Sequence, residues 1–173
     1  TACEDLIFVS DNFIAVIDGA TSKSNITFES KSTGRKASEI IANSLRLFSN
    51  DITSENAISL LTKGISDFYE QNSLLNHMEE NPVDRLSASI AIFSAVRKEV
   101  WMIGDCQVMI DGTIHTNEKE VDHILANMRS LCLEASIIQG NTIECLLNND
   151  IGRECIKPML IQQSQFQNQN FKS

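Results

Sequence analysis

The sequence predicts an α+β fold with helices packed on an antiparallel sheet or sandwich. Three observations lead there. Two short apolar runs at the start are separated by a polar turn, the apolar period changes to that of a helix after Gly34, and short strand signals return between Ala88 and His115.

Leu6–Val9 and Phe13–Ile17 flank Ser10-Asp11-Asn12, which reads as a hairpin. Both runs are almost wholly apolar, so burial on both faces is expected. From Gly34 to Ser49, residues Ala37, Ile40, Ile41, Leu45 and Phe48 fall on one helical face, with Ser32 or Thr33 as cap. A second helix is expected from Ser54 to Gln71, followed by a polar loop through Asn72–Arg85 that contains Pro82.

Strands follow at Ala88–Ser94, Glu99–Ile103 and Gln107–Ile110, and Asp111-Gly112 turns the chain into Thr113-Ile114-His115. The pattern then becomes helical again. Asn117 with Glu120, and Asn141 with Glu144, read as capping pairs. Pro158 is expected to limit a last helix beginning near Asp150, and the Gln-, Asn- and Ser-rich tail from Gln162 to be frayed. No repeat or linker divides the chain, so one domain over 1–173 is expected.

The 173 residues carry a formal net charge of −9, with 14 Lys and Arg against 23 Asp and Glu. That balance lacks the basic footprint of nucleic-acid binding. No apolar run reaches membrane-spanning length, so no membrane partner is expected. The first residues show no signal peptide, and the missing Met implies residues upstream. Cys3, Cys106, Cys132, Cys145 and Cys155 form no C-x-x-C pair. Free thiols and the lack of a targeting signal point to a bacterial cytoplasm.

The chemistry gathers at the hairpin mouth. A turn centred on Asp11 gives facing residues an index sum of 22, which sets Glu4 opposite Asp18, with Asp5 and Gly19 adjacent. Two carboxylates ~4 Å apart repel by about 4 kcal/mol at an effective dielectric of 20. Such a group is tolerated around a cation, or where the acids are solvated. Mg²⁺ and Mn²⁺ suit all-oxygen donors. Asp105, between two apolar strand segments, needs water, a hydrogen-bond partner or a metal.

Glu4-Asp5 … Asp18-Gly19, Ser87-Ala88-Ser89, Gly104-Asp105-Cys106-Gln107 and Asp122-His123 occur in the order of the "ED … DG", "GSTA", "VGDSR" and "xDH" segments of the metal-dependent 2C-type serine/threonine protein phosphatases. The chain resembles the N-terminal part of that family over roughly residues 3 to 130. The resemblance implies a β-sandwich flanked by helix pairs, an αββα four-layer arrangement incomplete at the C-terminus. It implies two, or three, Mg²⁺ or Mn²⁺ ions: Asp18 bridging two, Glu4 and the Gly19 carbonyl holding the second, Asp5 in support, and Asp105 toward a third. The activity implied is hydrolysis of phosphoserine and phosphothreonine in phosphoprotein substrates, by a water activated between two metals and without a protein nucleophile.

The sequence also departs from the family. Asp18-Gly19-Ala20-Thr21 replaces "DGxGG", the usual phosphate-gripping Arg lies upstream of the start, and the late metal-binding aspartates have no counterpart. Lys23 or Arg35 stand in as candidate phosphate ligands. The missing closing strands imply a truncated phosphatase, with activity belonging to the complete protein. The alternative is a non-catalytic pseudophosphatase or partner-binding module on the same fold.

Overall fold

The computed structural model describes residues 3–24 and 26–168. Strands β1 (Leu6–Val9) and β2 (Phe13–Ala20) form the expected hairpin. Its ladder runs from Leu6 opposite Ile17 to Val9 opposite Ile14. The turn is Asp11-Asn12, because the Ser10 N–H donates to the Phe13 carbonyl at 2.8 Å and the Phe13 N–H to Ser10 Oγ at 3.1 Å. The register is therefore one residue away from the expected one. Such a slip exchanges the faces of a strand, and Asp5 rather than Glu4 continues the ladder opposite Asp18.

A short pair not anticipated from sequence follows, β3 (Thr27–Phe28) with β4 (Lys31–Ser32). Its turn residues Glu29 and Ser30 have φ of 51° and 63°. Helix α1 (Thr33–Leu45) starts where Ser32 Oγ accepts from the Arg35 N–H. It stops short of Ser49, although Phe48 still packs in the core. Helix α2 (Ser54–Gln71) has the predicted bounds and is capped by Thr53.

The segment read as a polar loop holds α3 (Leu75–Glu80) and a 3-10 turn at Pro82–Asp84. Its anchors are few but buried. Met78 is fully buried, His77 Nε2 meets Asp84 Oδ2 at 2.7 Å, and the Leu86 N–H donates to the Tyr69 hydroxyl at 2.7 Å. Burial pushes the Tyr69 phenol up to about 12.

Strands β5 (Ser87–Ser94) and β6 (Glu99–Ile103) complete an antiparallel sheet in the order β1-β2-β5-β6. Strands β7 (Cys106–Ile110) and β8 (Thr113–Asn117) form a separate hairpin. Its turn is the expected Asp111-Gly112, with φ of 49° and 79° as a two-residue hairpin turn demands. The fold is thus α+β with antiparallel sheets, as the sequence predicts.

One face of the large sheet carries the core. Phe13, Ala15, Ile17, Ile90, Ile92 and Trp101 pack there with α1 and α2, and the Phe13 and Phe48 rings meet edge-on at 5.5 Å. The other face is open. Strand β2 alternates buried and exposed residues throughout, and Ile7 and Val9 are 74% and 68% exposed. The expectation of burial on both faces is corrected: an apolar run records two apolar faces, not two covered ones.

By its contacts the chain divides into two compact units, Thr1–Asn117 with Gln167–Ser173, and Glu118–Phe166. Within the first, Gln167 and Asn168 are tied back by Arg85 and the Leu86 carbonyl. The rest of the expected frayed tail, 169–173, lies outside the described residues. The second unit holds α4 (Glu120–Ile138), α5 (Ile143–Asn148), α6 (Ile151–Gln163) and a 3-10 turn at Ser164–Phe166.

Both expected capping pairs in this part of the chain are corrected. Helix α4 begins too late for Asn117 to cap it, and α5 is capped by Thr142 while Asn141 donates to Ser136. Asp150 caps α6, whose interior accommodates Pro158 rather than ending there. Cys132 on α4 and Cys155 on α6 form a disulfide, so only Cys3, Cys106 and Cys145 are free thiols. The thiol state therefore no longer argues for a reducing compartment. Among the described residues no helix is long and apolar enough to cross a membrane.

Candidate metal centre

Near one end of the large sheet a single cross-strand row spans its four strands. Asp18 pairs with Ser89 across β2 and β5. Continuing the two outer ladders by one step sets Asp5 beside Asp18 and Gly104 beside Ser89. Neighbouring strands lie about 4.8 Å apart, so these positions are within side-chain reach of one another.

Asp18 projects from the open face with Ile14 and Val16. Burial raises its carboxyl pKa, followed by a hydrogen bond with the Asp5 side chain and the charges of Asp5 and Glu4. One step beyond Leu6 and Ile17, Asp5 and Asp18 are cross-strand neighbours. Glu4 is turned elsewhere: its Oε1 accepts from the Thr21 hydroxyl, and its Oε2 sits against Gly34 in the first turn of α1.

Gly19 explains how helix and strand come this close. A Cβ there would lie 2.6 Å from Ser38 Oγ and still nearer the Gly34 carbonyl, so α1 rests directly on the β2 backbone. Ser38 Oγ is fully buried and has no hydrogen-bond partner among the described residues.

The two candidate phosphate ligands are placed differently from each other. Lys23 is exposed in the loop after β2. Arg35 is engaged, donating to Glu39 Oε1 at 3.0 Å and to the Cys3 and Asp5 carbonyls at 3.1 and 3.5 Å. It thereby holds the Glu4–Asp5 segment from behind.

Asp105 reaches the same end of the sheet from the turn between β6 and β7. With Asp18, Ser89 and Cys106 it lines one end of a cavity of about 470 Å³, whose remaining wall includes Val16, Phe93 and Val108. The Cys106 thiol donates to the Ile103 carbonyl at 3.3 Å. Burial pushes its pKa up, and the Asp105 and Asp18 charges add to that. It stays protonated at neutral pH and is a poor nucleophile.

The donors at Asp5 and Asp18 are all oxygen, and the charges acting on Asp18 are both negative. That suits a hydrated Mg²⁺ or Mn²⁺, which takes one or two carboxylates and keeps several waters. A fully protein-ligated ion is not supported, since among the described residues no group of three or more His, Cys, Asp or Glu could hold a metal. The sequence names Ser89 only within the Ser87-Ala88-Ser89 segment and Asn117 only as a cap, whereas both hold the Gly104–Asp105 turn.

No family model matches the chain, and no curated protein matches it. Solved structures similar to it include the following two. One is the serine/threonine phosphatase PstP/Ppp of Mycobacterium tuberculosis, at 15% identity over 72% of this chain and 52% of that one, with a TM-score of 0.43. The other is PppA of Pseudomonas aeruginosa, a key regulatory component of T6SS, at 14% identity over 72% and 55%, with a TM-score of 0.43. The chain spans about half the length of each.

Proposed function

We propose that this chain carries part of a divalent-cation-dependent phosphomonoester hydrolase that acts on phosphoserine and phosphothreonine in proteins. The observation that supports it most is the strand register that sets Asp5 beside Asp18 near the end of the sheet. These acids stand where the sequence resembles the "ED … DG" opening of the 2C-type phosphatases. Asp18 and Asp5 would hold Mg²⁺ or Mn²⁺, with Glu4 and the Gly19 carbonyl adjacent and Asp105 toward a further ion. A bound ion of this kind neutralises phosphoryl charge and acidifies water.

The protein's own part is positional. Asp18 presents its oxygens from a paired strand, and the Gly19–Gly34 contact fixes that strand against α1. Arg35 anchors the Glu4–Asp5 segment through its carbonyls. Lys23 remains as the exposed cation for a substrate phosphate.

The test is hydrolysis of p-nitrophenyl phosphate by the complete protein with Mn²⁺ and with EDTA. Asp18→Asn is expected to lower the Mn²⁺-dependent rate by at least about 100-fold, the upper end of what lost support around a metal costs. Full activity in that variant rejects the reading.

A second reading is a non-catalytic module that keeps the fold. The absence of a three-residue ligand group among the described residues favours it. It predicts no saturable Mn²⁺ binding by calorimetry.

A further inference from the structure

The peptide group joining Gly104 to Asp105 is gripped at both of its polar ends. Its carbonyl accepts from Asn117 Nδ2 at 2.7 Å, and its N–H donates to Ser89 Oγ at 3.0 Å. The two side chains come from different strands: Ser89 lies on β5 directly opposite Asp18, and Asn117 is the last residue of β8. Neither bond belongs to a ladder, since β6 ends at Ile103 and β7 begins at Cys106.

The turn is shaped to admit the grip. Gly104 has φ of 79°, and a Cβ on it would lie 2.7 Å from Ser89 Oγ. A hydrogen bond at each end of one peptide leaves it almost no freedom to rotate. What the peptide carries next is Asp105, which walls the same cavity end as Asp18.

We propose that Ser89 and Asn117 are positioning residues for Asp105. They clamp the Gly104–Asp105 peptide so that Asp105 and Asp18 share one end of the cavity, and so set the affinity of that end for a divalent cation. The second half of this statement rests on the metal reading above; the first does not. Without the Ser89 hydroxyl the Asp105 N–H turns to water, and the carboxylate samples a wider range of positions. Because both bonds hold one peptide, their effects are coupled and do not simply add.

The experiment uses Mn²⁺ alone as probe. Its affinity is read from the electron paramagnetic resonance of free Mn²⁺, and the clamp from amide hydrogen exchange of Asp105. Ser89→Ala and Asn117→Ala are each expected to speed Asp105 exchange and to weaken Mn²⁺ binding about three- to tenfold, the range of one net hydrogen bond. Ser89→Thr keeps the hydroxyl and is expected to restore both. In an Asp105→Asn background Ser89→Ala is expected to have no further effect on Mn²⁺.

Unchanged Asp105 exchange in both alanine variants overturns the clamp. Equal weakening of Mn²⁺ binding by Ser89→Ala with and without Asp105 overturns the positioning role. If the wild-type protein binds no Mn²⁺, the metal reading and the cation half fall together, and Asp105 exchange alone decides the clamp.

Discussion

At the scale of the residue, the acids at the sheet end oppose the fold until something neutralises them. The Asp18 pKa is raised, by burial first and then by Asp5 and Glu4. An unfolded chain releases that proton at lower pH than the folded one, so stability falls as pH rises through the folded pKa. In EDTA, Asp18→Asn is therefore expected to melt a few degrees higher than wild type at pH 7. That gain should vanish below the ordinary aspartate value of 3.8, where Asp18 is protonated in both states. Thermal melts at the two pH values check it, and a gain that persists in acid would contradict it.

Two neighbours of the same site give opposite expectations. Gly19→Ala drives a methyl into the Gly34 backbone and should cost about 1–3 kcal/mol or more. Ser38→Ala removes a buried hydroxyl without a partner and should be neutral or slightly stabilising. Urea unfolding of both variants measures each.

At the scale of the element, the β2 alternation divides residues that look alike in sequence. Ile17 is fully buried and Val16 is 55% exposed. Ile17→Ala should cost about 2–5 kcal/mol, and Val16→Ala well under 1 kcal/mol. Equal losses would show that the open face is covered.

The contrast also indicates what could be read from sequence. Helix α2 was legible end to end from its apolar spacing, and the Thr53 cap that fixes its start is seen in the structure. The hairpin was legible as a hairpin but not in register, since one residue of turn closure at Ser10 and Phe13 decides which acid faces Asp18. Helix α3 stayed hidden in a polar segment where Met78 supplies most of the burial. Asn117 looked like a cap because local spacing cannot register a bond to Gly104, thirteen residues away.

The disulfide belongs to this scale as well. It joins α4 to α6 over a separation of 23 residues, in a unit whose buried apolar side chains are Leu125 and Ile156. Closing a loop of that size is worth about 3 kcal/mol in the chain-entropy account. Alkylation of the unfolded protein without reductant should label Cys3, Cys106 and Cys145, and all five cysteines after reduction. Five labels without reductant would contradict the pairing.

At the scale of the whole molecule, one sheet does two jobs with its two faces. The helix-covered face holds the core, and the open face carries apolar residues that run into a row of acids at one end. The fold class followed from hydrophobic period alone. The site did not, because it depends on the register of four strands relative to one another.

Whether Asp18 and Asp5 form a divalent-cation site is decided by calorimetric titration with Mn²⁺. Saturable binding is expected for the wild-type protein and is expected to be lost in Asp18→Asn. Binding that survives unchanged in that variant would contradict the site.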